Sequence, residues 1–256
     1  MDILIAKSLF CPNDYYLNVT IESIKNLIKL IDEIHFFKYK LLFIGWSKDP
    51  KIMGKIEEIS NKYSMVFDIW KINYGKYHIF NKMKKYLGTS KYVLYLDHDI
   101  LFENNLNLFS NLVKIIDLSI KDKQIGLIAL NQKNDNRHKM EIFEHKFILE
   151  EFRLLYSNNC YSVALGCFFT KSVYLESVSE LDEISVYGLD DYNLSNAFME
   201  KGFLVVVAQD ISVIHPFDKN QKYINWKLKT VKNLLDSNNE FYYWKTIEES
   251  INLWND

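Results

Sequence analysis

The chain has 256 residues, of which 48% are apolar and 25% are charged, and its 31 basic and 33 acidic residues give a formal net charge of −2. This length and composition predict a globular protein with a full hydrophobic core, and they argue against a fibrous or largely disordered chain. The balanced charge excludes a strongly basic or acidic composition, so it indicates neither nucleic acid nor an anionic membrane as the partner.

Strand and helix patterns alternate along the first half of the chain. Short apolar runs predict strands, and apolar residues at helical spacing predict helices. In chain order the sequence predicts a strand at 3–6, a helix at 17–31, a strand at 41–44, a helix at 51–63, a strand at 65–69, a helix at 78–86, a strand at 92–96, a helix at 108–120 and a strand at 125–130. This alternation predicts an α/β fold with a mostly parallel sheet and helices on both faces.

The pattern is less regular in the second half. The polar stretch 131–139 lacks periodicity and predicts a mobile loop. Beyond it we expect a helix at 141–156, a strand at 162–169, a helix at 194–201, a strand at 203–208 and a mostly helical tail at 224–254 that the aromatic residues 241–244 dock onto the body. No repeat or low-complexity segment marks a linker, so we expect one compact unit.

The cysteines and the first residues bear on the cellular compartment. Cys11, Cys160 and Cys167 are odd in number and lack CxxC spacing, which favours a reducing compartment over a disulfide framework or a zinc cluster. Asp2 stands where a signal peptide has a base, and no run approaches the ~20 apolar residues of a membrane-spanning helix. We expect a cytoplasmic protein, which would associate peripherally with a membrane if its acceptor does.

Two carboxylates follow the buried strand predicted at 92–96. Asp97 and Asp99 stand directly after it, and the ligands of a parallel sheet gather at the carboxyl ends of its strands. In an extended chain both side chains would project to the same side and supply oxygen ligands to one Mg²⁺ or Mn²⁺. His98 would then point the opposite way, so we do not expect it to be a ligand. The alternative is that the two acids merely cap a turn.

Other motifs occur around this pair in a fixed order. They are Asn-Tyr-Gly-Lys at 73–76, Asn81, the apolar strand and its two acids at 92–99, a small-residue segment at 164–169, Leu-Asp-Glu at 181–183 and Asp190-Asp191 before a predicted helix. With these motifs in this order, the chain resembles the GT-A glycosyltransferases of the family 2 type over roughly residues 1–217, and ordered co-occurrence is far more specific than any single motif.

The resemblance implies a fold and a division of the chain. It implies a GT-A, Rossmann-like catalytic domain at 1–217, with the nucleotide-sugar half at about 1–100 and the acceptor half at about 101–217. Residues 218–256 lie outside the resemblance and are expected to form a helical extension packed on that domain.

The resemblance also implies residue roles. Asp191 would deprotonate the acceptor hydroxyl with support from Asp190, although two acids at a helix start can also be a plain N-cap pair. Asp99 would bind the metal ion directly, and Asp97 would act through the ribose or a water molecule. His215 would be a third metal ligand, although a lone histidine is more often an ordinary hydrogen-bonded residue.

The nucleotide site departs from the family pattern. The family's base pocket uses the loop after the first strand and acids after the second, but the segment 44–49 lacks the leading acids. Trp46 would stack on the base instead, unless it only packs in the core. Lys76 would help neutralise the diphosphate, with Lys7 as a weaker candidate, although either could be surface charge. Nucleotide-sugar contacts are therefore expected from Ala6, Trp46, Asn73, Gly75, Lys76, Asp97 and Asp99.

The expected reaction is transfer of a sugar from a UDP- or GDP-sugar to the hydroxyl of a carbohydrate or glycolipid acceptor, with Mn²⁺ or Mg²⁺ as cofactor. The resemblance implies inversion at the anomeric carbon. One rival is a sugar-phosphate nucleotidylyltransferase, which needs a glycine-rich phosphate loop that the segment 7–13 lacks. Another rival is a catalytically silent binding module on the same scaffold, against which the two pairs of acids argue.

Overall fold

The computed structural model describes residues 2–34, 37–103, 107–133, 143, 145–156, 163–216, 220–236 and 242–254. The first half alternates strands and helices, as the sequence predicts. Its elements are β1 (Asp2–Phe10), α1 (Asp14–Glu33), β2 (Lys38–Trp46), α2 (Pro50–Lys62), β3 (Val66–Trp70), α3 (Gly75–Met83), a 3₁₀ turn (Lys84–Tyr86) and β4 (Tyr92–Leu96).

Local chemistry explains where the first helices begin. The Asn13 side chain accepts hydrogen bonds from the backbone N–H groups of Tyr15 and Tyr16, which caps α1. Asp49 accepts from the Lys51 N–H and caps α2, and proline occupies the first helical position, where a missing N–H costs nothing. Each cap sits shortly after a strand, so strand and helix follow each other through short connections.

The second half mixes short strands with helices. Its elements are β5 (Leu101–Phe102), α4 (Leu108–Ile116), β6 (Ser119–Ile120), β7 (Lys123–Gln132), β8 (His145–Leu149), β9 (Phe152–Tyr156), β10 (Cys167–Lys171), α5 (Ser172–Ser177), α6 (Asp190–Glu200), β11 (Leu204–Ile214), α7 (Gln221–Asp236) and α8 (Tyr242–Leu253).

In the described ranges the strands form a sheet in the order β3-β2-β1-β4-β10-β7-β11-β9-β8. The pairs among β3, β2, β1 and β4 are parallel. In the second half β7 and β11 are parallel, whereas β10 pairs antiparallel with both β4 and β7. Buried apolar residues cover both faces of the sheet. The predicted α/β architecture is confirmed, and β4, which precedes Asp97, lies in the middle of the sheet.

The helix predicted at 141–156 is wrong. Its described residues form the hairpin β8–β9, which pairs with β11. In β8 exposure alternates with period two, so that Phe147 packs on the core while Ile148 is 77% exposed. Glu150 has φ 52°, which makes the tight turn between the strands. The apolar residues of this segment fit both the helical period of 3.6 residues and the strand period of two, and the pairing with β11 selects the strand.

Smaller differences also occur. The helix predicted at 108–120 ends at Ile116, and the strand predicted at 162–169 is β10, which starts at Cys167. Residues 131 and 132 of the predicted loop belong to β7, and residues 134–139 of that loop lie outside the described residues. Cys11 and Cys167 are buried free thiols, as expected, and Cys160 lies outside the described residues.

The C-terminal helices pack on the body through an aromatic cluster. Its buried members are Tyr16, Val186, Tyr223, Trp226, Tyr243 and Ile247. The Tyr243 hydroxyl donates to the Tyr74 carbonyl at 3.0 Å, so this predicted docking residue makes a direct contact with the body. Trp244, also predicted to dock, is 66% exposed. None of the described helices combines the length and apolarity that crossing a bilayer requires.

Candidate active site

One cavity of about 650 Å³ lies at the carboxyl ends of β1, β2 and β4. The turn before α6 and the helix α7 also contribute to its wall. Of the residues predicted to bind or react, those that line it are Trp46, Asn73, Gly75, Lys76, Asp97, Asp99, Asp190, Asp191 and His215. The structure therefore brings nine predicted site residues, from distant parts of the chain, into one cavity.

Asp97 is held from several directions. Its backbone N–H donates to the Gly166 carbonyl at 2.7 Å, and its Oδ1 accepts from the Tyr95 hydroxyl at 2.8 Å. Its Oδ2 lies 3.0 Å from Lys76 Nζ. A substituent at Gly166 would come within 3.1 Å of the same oxygen, so the absence of a side chain there leaves room for the carboxylate.

The residues between Asp97 and Ile100 form a turn and not the extended chain that the sequence analysis assumed. The Ile100 N–H donates to the Asp97 carbonyl at 3.3 Å. As a result, the two carboxylates contact different partners, Asp97 on the Lys76 side and Asp99 on the His215 side. The His98 ring lies 5.5 Å from the ring of Phe10 between centroids, and burial, the largest influence, lowers its pKa.

Asp190 and Asp191 are the first two residues of α6. The residue before them, Leu189, is the N-cap of the helix, has φ 59° and makes no side-chain capping hydrogen bond. Asp190 Oδ1 accepts from the Gly188 N–H at 3.3 Å, which holds the tight turn that leads into the helix. The N-cap position is therefore occupied by Leu189, whereas the alternative interpretation places the acids there.

Lys76 lies among three carboxylates. Its Nζ is 3.0 Å from Asp97 Oδ2, 3.4 Å from Asp190 Oδ2 and 3.5 Å from Asp191 Oδ1. Burial lowers the pKa of Lys76, but the three carboxylates outweigh it and raise that pKa well above its ordinary value. Burial raises the pKa of Asp190, Lys76 opposes this, and the net pKa is raised. Lys76 is thus a fixed positive charge at the centre of an acidic group.

Asp99 and His215 meet on the other side of the cavity. Asp99 is 9% exposed, and its Oδ1 lies 3.2 Å from His215 Nε2. Burial raises the pKa of Asp99, but His98, His215 and Lys7 outweigh it and hold that pKa well below its ordinary value. Burial lowers the pKa of His215, but Asp99 and Asp97 together raise it on balance. Asp99 is therefore a carboxylate at neutral pH.

This pair suits a divalent cation. Among the described residues no group of three or more His, Cys, Asp and Glu side chains is gathered in a metal-binding arrangement. However, Asp99 Oδ1 is buried without a hydrogen-bond partner, and it faces a ring nitrogen at 3.2 Å. Neighbouring ligand atoms of an octahedral Mg²⁺ are roughly 3 Å apart. The Asp99 oxygen and the His215 nitrogen are thus spaced to share one ion.

The remaining nucleotide candidates differ in their positions. Trp46, which ends β2, is 5% exposed and meets the Phe10 ring edge-on at 5.6 Å. Asn73 accepts from the Gly75 N–H at 3.0 Å and donates to Ser250 on α8 at 3.1 Å. Gly75 has φ 81°, and a Cβ there would lie 2.5 Å from the Val186 carbonyl, so only glycine fits. These residues shape the wall of the cavity.

Two candidates lie elsewhere. Ala6 is fully buried in the core, and Ser8, Leu9 and Phe10 line the cavity in its place. Lys7 points into the interior, where its Nζ donates to the Ser23 hydroxyl and the Asp97 carbonyl. Burial lowers the pKa of Lys7 to about 8. The structure therefore gives Lys7 the task of supporting the Asp97 turn and not of meeting a diphosphate.

Sequence reasoning missed several cavity residues. Gln132 ends β7 and contacts His215, and its position at the carboxyl end of a strand was a usable signal. Tyr223 and Lys227 of α7 line the cavity, although the tail lies outside the family resemblance. Lys227 Nζ lies 4.2 Å from the centre of the Tyr223 ring and 5.0 Å from that of Tyr187. No sequence motif marks these residues.

No protein-family model and no curated protein sequence matches the chain. Solved structures do match it. S. aureus TarS 1-349 is 14% identical with a TM-score of 0.56, over 99% of this chain and 71% of that one. Mannosyltransferase PcManGT from Pyrobaculum calidifontis, in complex with GDP-Man and Mn²⁺, is 12% identical with a TM-score of 0.59, over 98% of this chain and 69% of that one.

A third match is GalNAc-T7 with UDP, GalNAc and Mn²⁺, which is 11% identical with a TM-score of 0.58, over 99% of this chain and 54% of that one. The chain spans 43% of the longer TarS structure. These similarities show the GT-A fold that the motifs predicted. At identities of 11–14% these similarities show the fold alone, because one fold can carry different activities.

Proposed function

We propose that this GT-A-fold chain is a metal-dependent glycosyltransferase that moves a sugar from a UDP- or GDP-sugar to an acceptor hydroxyl. The main observation behind the proposal is that two different groups of side chains line opposite sides of one cavity. Asp99 and His215 form a pair of ligands for a divalent cation on one side, and Asp190 and Asp191 contact Lys76 on the other side. Transfer from a nucleotide diphosphate needs both functions in one place.

We assign the general base to Asp191 and a supporting role to Asp190. Asp191 would take the proton of the acceptor hydroxyl, the acceptor oxygen would bond to the anomeric carbon, and the bond from that carbon to the diphosphate oxygen would break, with inversion. Lys76 favours the ionised form of both acids, because its positive charge lies within 3.5 Å of an oxygen of each.

Asp99 and His215 would hold Mn²⁺ or Mg²⁺, with Asp97 turned toward the ribose or a bound water. The ion would offset the negative charge of the departing diphosphate. Solved neighbours support the donor and the metal, since their structures contain UDP, UDP-GlcNAc, GDP-Man or Mn²⁺. In this chain the base pocket would be formed by Phe10 and Trp46, because the acids that contact the base in related enzymes are replaced.

The acceptor is proposed to be a carbohydrate or glycolipid in the synthesis of a surface polysaccharide or glycoconjugate, and the enzyme is proposed to work in the cytoplasm. If the acceptor is a glycolipid, we propose that the enzyme associates peripherally with its membrane. The acceptor class follows the family resemblance, and the location follows the cysteine pattern and the first residues. The helix α7, which lies outside the resemblance, lines the cavity and would distinguish acceptors.

A donor screen tests the proposed function. UDP- and GDP-sugars are incubated with the protein and Mn²⁺, Mg²⁺ or EDTA, and the release of UDP or GDP is measured. We expect metal-dependent release from at least one donor, its loss in Asp99→Ala, and its retention in Asp14→Asn, whose carboxylate is exposed and paired with Lys55. Binding of a donor without release of UDP or GDP from any donor would leave a silent binding module. Incorporation of a sugar 1-phosphate into a nucleotide sugar would indicate a nucleotidylyltransferase.

A further inference from the structure

A buried amide connects the backbone of one segment to the imidazole of His215. Gln132, at the end of β7, is 1% exposed. Its Nε2 donates to the Ala164 carbonyl at 3.0 Å, and its Oε1 lies 2.8 Å from His215 Nδ1. A carbonyl oxygen can only accept, so the NH₂ group of the amide must face Ala164. The chemistry of the contact therefore directs the amide oxygen toward the imidazole.

This orientation decides which ring nitrogen of His215 carries hydrogen. The amide oxygen of Gln132 can only accept, so Nδ1 must be the donor in the 2.8 Å contact. In a neutral imidazole the other nitrogen, Nε2, then bears a lone pair. That nitrogen lies 3.2 Å from Asp99 Oδ1, a buried carboxylate oxygen without a hydrogen-bond partner. A cation bound beside both atoms would replace the proton that Asp99 otherwise favours on Nε2.

The backbone makes this arrangement rigid. In the parallel pairing of β7 with β11, Gln132 is the register partner of Val213, and His215 follows two residues later. A Cβ on Gly166 would come within 3.1 Å of Gln132 Nε2 and 3.3 Å of Oε1, so a larger residue there would push the amide aside. Sheet register and a missing side chain together place the amide against the imidazole.

We propose that Gln132 is a positioning residue that fixes His215 as the Nδ1–H form, so that Nε2 presents its lone pair to the cation shared with Asp99. This inference rests on the proposed function and adds to it the residue that orients the metal ligand. Hydrogen bonds from outside the ligand set fix the ring and raise its basicity in metal sites, and losing one costs metal affinity.

Nitrogen NMR tests the tautomer directly. Protein labelled with ¹⁵N-histidine is compared without metal, with Mg²⁺ and UDP, and with Mg²⁺ and GDP, and the His215 signals are assigned from their loss in His215→Gln. We expect the Mg²⁺-bound protein to keep hydrogen on Nδ1 and to show the shift change at Nε2. Hydrogen on Nε2 in the Mg²⁺-bound protein would overturn the role of Gln132 and leave the metal site standing. No change at either nitrogen with either nucleotide would overturn the metal site and this inference with it.

Substitution tests the effect on metal affinity. Mn²⁺ binding is measured by the electron paramagnetic resonance signal of the free ion, in the presence of UDP or GDP and without any acceptor. We expect Gln132→Leu to weaken Mn²⁺ binding by about 10- to 100-fold. Gln132→Glu keeps an acceptor for Nδ1–H and should recover part of that loss. Equal losses in both variants, or wild-type affinity in Gln132→Leu, would contradict the proposal.

Asn131→Leu is the matched control. Asn131 is the preceding residue of the same strand, and its side-chain amide donates to the Gln209 carbonyl at 3.1 Å. The change removes an amide hydrogen bond to a backbone carbonyl, as Gln132→Leu does, but it leaves His215 in place. We expect Asn131→Leu to bind Mn²⁺ like the wild type. An equal loss in the control would mean that any damage to β7 weakens the site, and Gln132 would then have no specific role.

Discussion

The two sides of the cavity differ in how their charges are balanced. On one side, Lys76 lies within 3.5 Å of oxygens of Asp97, Asp190 and Asp191. On the other side, a buried oxygen of Asp99 faces a ring nitrogen of His215 and has no hydrogen-bond partner among the described residues. The chain supplies its own cation to the first side, whereas on the second side the proposed metal ion would come from solution.

The difference separates two tasks of the site. In the proposed mechanism, Lys76 favours the ionised form of the carboxylates that accept a proton, and this fixed lysine does not leave between turnovers. No lysine of the described residues lies between Asp99 and His215, so their carboxylate and imidazole groups would remain available to a metal ion. A change on the Lys76 side should therefore affect stability and turnover, and a change on the Asp99 side should affect metal and nucleotide binding.

The largest expected effect on folding comes from removing the internal cation. Lys76→Met leaves three partly buried carboxylates close together, and breaking such a group by deleting one partner costs about 3 kcal/mol. Lys76 lowers the pKa of Asp190, so without Lys76 that pKa rises further in the folded protein. The folded state then binds more protons than the unfolded state, and the loss shrinks as the pH falls. Urea unfolding at several pH values measures this.

Lys55→Met is the control for that measurement, because Lys55 pairs with Asp14 at a site where both side chains are more than half exposed. Its effect on the free energy of unfolding should stay below about 1 kcal/mol at every pH. A pH-independent loss in Lys76→Met, or a loss no larger than that of Lys55→Met, would show that Lys76 does not balance the acidic group.

The next effect concerns turnover. Asp191→Asn should leave donor binding nearly intact and lower turnover by roughly 10² or more, because the amide keeps the shape of the side chain and lacks its basicity. Steady-state rates at saturating donor and acceptor measure it, with Asp190→Asn as the comparison. A larger loss in Asp190→Asn would move the base by one residue, and near-wild-type turnover in both would remove this pair from the mechanism.

A smaller effect should follow from changing the scaffold around the cavity. Ser250→Ala removes the acceptor for the Asn73 amide, which lies 3.1 Å from the serine oxygen. We expect a loss of about 1 kcal/mol in the free energy of unfolding and near-wild-type turnover, because the contact carries no charge. Thermal unfolding and steady-state rates together decide this. A fall in turnover as large as that of Asp191→Asn would mean that α8 takes part in forming the reactive geometry.

Much of the first half of the fold could be predicted from local sequence. Strands such as Tyr92–Leu96 are apolar on both faces, and capping residues such as Asn13 mark the helix starts. The hairpin at 145–156 could not be predicted in this way, because its apolar spacing also suits a helix and only the pairing with β11 selects a strand. Long-range pairing leaves no signal within such a short segment.

In the site, too, local motifs could be predicted from the sequence and long-range contacts could not. Asp97, Asp99, Asp190 and Asp191 were found because they belong to ordered motifs, and the structure brings all four to one cavity. The contacts of Lys76 with Asp190 and Asp191, and the contact of Gln132 with His215, join segments more than 80 positions apart. Such contacts depend on sheet register, which motif spacing does not report.

The most direct test of the account is calorimetric titration of UDP and of GDP into the wild type and into Asp99→Ala, each with Mn²⁺ and with EDTA. We predict that one of the diphosphates binds the wild type only with the metal ion, and that Asp99→Ala weakens this binding by about 100-fold or more, because it deletes a direct ligand. Binding to Asp99→Ala as tight as to the wild type, with the same dependence on Mn²⁺, would contradict the assignment of the metal site.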